Sequence, residues 1–206
     1  MLLLVAALGC TSHAAPPPAR APAPSPARRG SPSAAASSAL DDVVQSDLAA
    51  DQAFPWSAGR PLAWRDFQGS PPSEGSEGAK ISYTLYSGWK CRGEVFEFRV
   101  IVGFRPRQSW VKAMVLNDST QRRTILGHEQ THFDLAEVHA RRMRRAFGDL
   151  VRPCARTDAD LSAVAQRLAL EEKAEQRRYD TETNHGLLAD HQAAWSRDVT
   201  RRLGGS

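Results

Sequence analysis

Lysine is scarce in this 206-residue sequence: only Lys80, Lys90, Lys112 and Lys173 occur, so the net charge of +4 rests on arginine. Such a bias reads as composition. A nucleic-acid surface would need basic residues on one face with aromatics between them, and the densest group, Arg141, Arg142, Arg144 and Arg145, instead fans around a helix. It reads as a solvated helix end, and no nucleic-acid partner is expected. The apolar run Leu2 to Leu8 is too short to span a bilayer as a helix. From Thr11 to about Ser38 large apolar residues are nearly absent, which excludes a packed core there. No internal repeat is visible. The length leaves room for about one domain of the usual ~100 to 200 residues.

What is present at the N-terminus is the pattern of an export signal: an apolar stretch followed by small residues. Leu8-Gly9-Cys10 resembles the lipobox of bacterial lipoproteins, which implies cleavage before Cys10 and acylation of its thiol. Residues 1–10 are therefore read as a signal segment and 11–40 as an Ala/Pro/Ser-rich disordered tether. Residues 41–206 form the folded domain. Export to the cell envelope or periplasm, with lipid anchoring to a membrane through Cys10, is the expected localisation. Using Cys10 as a lipid carrier leaves Cys91 and Cys154, which can pair in an oxidising compartment.

Between Trp56 and Trp110 the signals are those of strands. Ile81, Tyr83 and Leu85 alternate, and Val95 to Val102 is β-rich, with Gly88, Gly93 and Gly103 as punctuation. After Asn117 the period becomes helical. Asp118 is the expected N-cap with Gln121 completing a capping box, and Ile125, His128, His132, Leu135, His139 and Met143 share a stripe. A second helix, capped by Thr157, runs to about Arg178 with Leu161, Ala165 and Leu168 inward. A third spans roughly residues 187–203 with Leu188, Trp195 and Val199 inward. A small antiparallel sheet followed by three helices makes the fold class α+β, zincin-like, with the HExxH motif on the first long helix.

That motif is His128-Glu129-Gln130-Thr131-His132. Spacing of i and i+4 puts both imidazoles on one helix face, within reach of one ion. Glu129 lies about 100° round the helix, beside the ion and free to take a proton from water, whose pKa a bound zinc lowers. One zinc ion, with His128 and His132 as ligands and Glu129 as the catalytic base, is the expectation. His139 fails as third ligand, because seven residues at 1.5 Å rise put it about 10 Å from His132. The metzincin pattern is matched only as far as His132, since Leu135 and Val138 stand where that family has glycine and histidine.

The segment Tyr179-Asp180-Thr181-Glu182-Thr183-Asn184-His185-Gly186 supplies other candidates. His185 is the first choice for the third ligand, with Asp180, Glu172 and Glu175 as alternatives. Tyr179 is a candidate catalytic donor to a developing oxyanion. Asp134 and Glu137, on other helix faces, read as structural groups.

His128–Glu137 (HEQTHFDLAE), Tyr179–Gly186 (YDTETNHG) and Leu62–Gly69 (LAWRDFQG) together resemble a bacterial domain-of-unknown-function family described as predicted secreted zinc-dependent proteases. The resemblance runs from Trp56 to Trp195. It implies a metallopeptidase-like activity. The leading expectation from the residues is a zinc peptidase or amidase acting on a peptide or protein substrate outside the cytoplasm, with the substrate strand along a sheet edge such as Val95 to Phe104. The alternative is a non-catalytic envelope lipoprotein with a structural or vestigial metal site.

Overall fold

The computed structural model describes residues 39–205; the segment read as an export signal, Cys10 and nearly all of the expected tether lie outside the described residues. The architecture is α+β, as the sequence pattern implies. A three-stranded antiparallel sheet and a separate two-stranded ribbon are combined with five helices. No helix among the described residues is long and apolar enough to cross a membrane.

The main sheet has the order β1 (Phe54–Pro55), β4 (Val95–Phe104), β3 (Tyr83–Arg92). Strands β3 and β4 pair along their whole length, from Tyr83 opposite Phe104 to Arg92 opposite Val95. Their two-residue connection places Gly93 at φ 61°. A hairpin turn that follows the twist of the strands needs such a left-handed residue, and glycine adopts it without steric cost. The ribbon pairs β2 (Ala79–Lys80) with β5 (Trp110–Val111).

Both faces of the main sheet are covered, so β3 is buried on consecutive residues instead of alternating cleanly. One face meets α1 (Ala39–Ala50), where Leu40, Val44 and Leu48 pack against Tyr86. This helix is absent from the sequence-derived layout, and it opens two residues before the expected end of the tether. The other face meets α3 (Ser119–Gly148), where Phe133, Ala136, Ala140, Met143 and Phe147 join Leu85, Val100, Val102 and Phe104 in the main core. Helix α4 (Asp158–Thr183) closes that core with Leu161, Ala165 and Leu168. A second cluster, Leu135, Val138, Tyr179, Trp195 and Val199, joins the far side of α3 to α4 and α5 (Ala189–Gly204). Helix α3 is thus buried on two sides. A single apolar stripe describes only one of them. Leu188, an expected inward residue, is 44% exposed: it is the N-cap of α5, with extended backbone, and stands outside the helix.

Helix starts follow the capping chemistry. The Asp118 carboxylate accepts from the backbone N–H of Thr120 and Gln121 at 2.8 and 2.9 Å. Gln121 returns its amide to that carboxylate instead of the backbone, so half of the expected box forms. At α4 the box is complete between Thr157 and Asp160. Before α3 lies the short α2 (Ala113–Asn117), whose Val115 is fully buried.

A disulfide joins Cys91, at the end of β3, to Cys154, 63 residues on in the turn after α3. The arginines of late α3 are taken up in ion pairs: Arg141 and Arg144 with Glu137, and Arg142 with Glu171.

Candidate metal centre

His128 and His132 project from the middle of α3, both buried, with rings 4.6 Å apart and nearly perpendicular. Asp180, in the last turn of α4, reaches between them: its Oδ1 lies 3.1 Å from His128 Nε2 and 2.9 Å from His132 Nε2, while the two Nε2 atoms are 3.1 Å apart. His128, His132 and Asp180 are the one group of potential metal ligands found among the described residues.

The outer partners decide which protons are present. His132 Nδ1 faces Gln176 Oε1 at 2.6 Å, and that amide is oriented by its own NH2, which donates to the His132 carbonyl and to Glu172. His128 Nδ1 faces Gln192 Oε1 at 3.2 Å. An amide oxygen only accepts, so each ring carries its proton on Nδ1 and turns a lone pair on Nε2 inward. Two imidazole nitrogens and a carboxylate oxygen then converge on one point, which a shared proton or a cation can occupy. A cation is what such a triangle fits. Four-coordinate bonds of about 2.1 Å set ligand separations of roughly 3.4 Å, a few tenths of an ångström wider than this triangle. Small side-chain rotations close that gap.

The charges of the chain favour positive charge at that point. Burial works against an ionised Asp180, but hydrogen bonds and charge from His128 and His132 outweigh it and hold the carboxyl well below the usual range. Burial also opposes a charged His132, yet Asp180, Glu129 and Gln176 together raise its pKa.

Glu129 is buried beside the triangle and is not one of its corners. Its Oε2 accepts from the backbone N–H of Ile81 at 2.9 Å, which ties the carboxylate to the residue following β2. Burial raises its pKa above the ordinary carboxylate value, against the opposing pull of His132 and His128. A carboxylate so placed accepts a proton more readily than an ordinary one. It faces a cleft of about 580 Å³, lined also by residues 76–81, Tyr83 and the triangle.

Several sequence expectations change here. The third corner is Asp180 and not His185. His185 follows α4 in a left-handed turn, with Asn184, His185 and Gly186 at φ 46°, 55° and 82°, and this carries its ring outward. The ring is 67% exposed, with Nδ1 3.7 Å from Asp180, at the cleft wall. Gly186 seats the turn against His128, where a Cβ would come within 3.0–3.2 Å of the imidazole. Tyr179 does not face the cleft either. It is fully buried, stacks on His128 at 4.7 Å and donates its hydroxyl to Gln192 Oε1 at 2.7 Å, so it holds the His128 ring in place.

Glu172 hydrogen-bonds Tyr83 and Gln176, one layer behind His132. Glu175 binds His139 at 2.6 Å and Arg202 at 2.9 Å, which accounts for both residues away from the centre. Asp134 accepts from Trp56 and Gln130, and Glu137 pairs with arginines. Strand β4 lies between β1 and β3 and contributes nothing to the cleft wall, so β2 replaces it as the nearest strand. Gln176 and Gln192 are absent from the sequence-derived site. For Gln176 a signal exists, because Glu172, Gln176 and Asp180 recur every four residues and continue the buried stripe of α4 as a polar one.

Residues 82–186, about half of the sequence, match the model of a bacterial protein family of unknown function, DUF922. The chain belongs to this family. The matched segment contains all three corners of the triangle together with Glu129, His185 and Gly186, and stops short of Gln192 and α5. No curated protein and no solved structure matches the chain.

Proposed function

We propose that this protein is a zinc-dependent hydrolase, a metallopeptidase acting on peptide or amide bonds outside the cytoplasm. The observation that carries the reading is the convergence of two Nε2 lone pairs and the Asp180 carboxylate, with a separate buried carboxylate, Glu129, beside them at an open cleft. Two imidazoles and one carboxylate are a donor set that zinc accepts, and three protein ligands leave a coordination position for chemistry. A zinc ion held there supplies Lewis acidity, polarising a carbonyl and making water a better nucleophile near neutral pH.

The chain's own residues do the rest. Glu129 takes the proton from the attacking water and can return it to the leaving amine. Gln176 and Gln192 hold the two imidazoles at Nδ1 and so aim both Nε2 atoms at the ion. β2 is paired on one side only, with β5, and Ile81 just beyond it touches Glu129. An extended substrate laid along β2 would bring its backbone past that carboxylate. The disulfide suits an oxidising compartment, in keeping with export and anchoring through Cys10.

The test is metal analysis and a peptidase screen on the purified protein and on Glu129→Gln. Equal zinc content with a loss of turnover on the order of a hundredfold or more is the expected result. A variant that binds zinc and keeps full activity would overturn the mechanism.

A further inference from the structure

Part of the cleft lining is apolar, and the metal centre does not account for it. Two of the few exposed large apolar residues line this cleft: Met114 on α2 is 62% exposed, and Leu187 in the turn after α4 is 70% exposed. The half-buried Ile81 and Ile125 continue the lining, and the fully buried Val115 packs beneath it. Ile125 precedes Glu129 by one helical turn on α3, so their Cβ atoms lie about 6 Å apart on one helix face. Gly78 closes against the apolar lining so tightly that a Cβ would come within 2.8 Å of Val115 and 3.2 Å of Ile125. The charged residues on the β2 side, Glu77 and Lys80, have opposite signs and give no net preference for a charged ligand.

An exposed apolar wall costs solvation, and covering it with a ligand side chain recovers that cost. We propose that Met114, Ile125 and Leu187 form an apolar subsite in this cleft. It takes a bulky aliphatic or aromatic side chain of an extended peptide, next to the bond presented to Glu129. This names the substrate class and rests on the hydrolase reading above.

The experiment uses the zinc-loaded full chain carrying Glu129→Gln, titrated by fluorescence anisotropy with two dye-labelled peptides of equal length and charge. One has Leu-Phe at its centre and the other Ser-Asn. The apolar peptide binds roughly tenfold tighter, the ratio expected for covering one large side chain. Met114→Lys and Leu187→Lys, both at exposed positions that the core does not need, reduce that ratio to about threefold or less. Equal affinity for the two peptides, no binding of either, or a ratio unchanged in both lysine variants overturns the subsite. Turnover by the wild-type chain separates the two readings. Glu129-dependent cleavage without an apolar preference sinks the subsite alone, whereas an apolar preference with no Glu129-dependent cleavage of either peptide sinks the hydrolase.

Discussion

Replacing Asp180 by asparagine keeps the side-chain volume and one acceptor oxygen but removes the negative charge from the corner of the triangle. Its Oδ1 stands 2.9 and 3.1 Å from the two imidazole nitrogens, so an ion bound by those nitrogens also lies against this oxygen. Even with the dielectric constant of bulk water, a unit charge about 2.1 Å from a divalent ion is worth roughly 4 kcal/mol, or about three decades in affinity. The asparagine dipole and the desolvation no longer required return part of this. Asp180→Asn should therefore weaken zinc binding by about 100- to 1,000-fold, measured by competition with a chromophoric chelator after stripping and reloading. His185→Ala removes an exposed ring 3.7 Å from Asp180 and should cost about fivefold at most. The opposite order, with Asp180→Asn close to wild type and His185→Ala down a hundredfold, would refute the assignment of the third corner.

Tyr179→Phe loses only a hydroxyl that holds Gln192, so steady-state kinetics should show zinc affinity falling about tenfold and kcat at saturating zinc changing by less than about threefold. A drop in kcat of a hundredfold at saturating metal would restore Tyr179 as a substrate-facing donor. Removing the disulfide by Cys91→Ala with Cys154→Ala opens a loop of 63 residues and should cost about 4 kcal/mol by loop entropy. In a domain of this size that corresponds to a fall in Tm of roughly 8–16 °C by calorimetry. The Glu175 carboxyl is held down, first by its hydrogen bond with His139 and also by Arg202, to about 2 from an ordinary 4.5. A depressed carboxyl stabilises fully above pH 4.5 and loses that contribution as pH falls toward 2. Its half-solvated setting limits the contribution to about 1–2 kcal/mol, so Glu175→Gln should lower Tm at pH 6 and converge with wild type near pH 2.

Local features were legible in the sequence because their causes are local. The i, i+4 spacing of His128 and His132 needs only a helix to put both rings on one side, and Asp118 and Thr157 cap because their own side chains reach the next turn. The α+β class follows from the change of hydrophobic period after Asn117, and the pairing of Cys91 with Cys154 from counting thiols. What spacing could not carry was the relation of α4 to α3. Asp180 and His185 are five residues apart in the same motif, and both are chemically fit to hold a metal. The choice between them depends on where α4 ends and on the three left-handed residues that follow, which turn His185 outward while Asp180, still helical, points between the imidazoles. The two glutamines that orient the imidazoles come from α4 and α5, 44 and 64 residues away from their partners. Sequence by itself determined the helix, its two histidines and the carboxylate between them. Only tertiary packing decided the third corner, the proton positions and the apolar wall, because each arises where separate elements meet and no periodicity along one element records its neighbour.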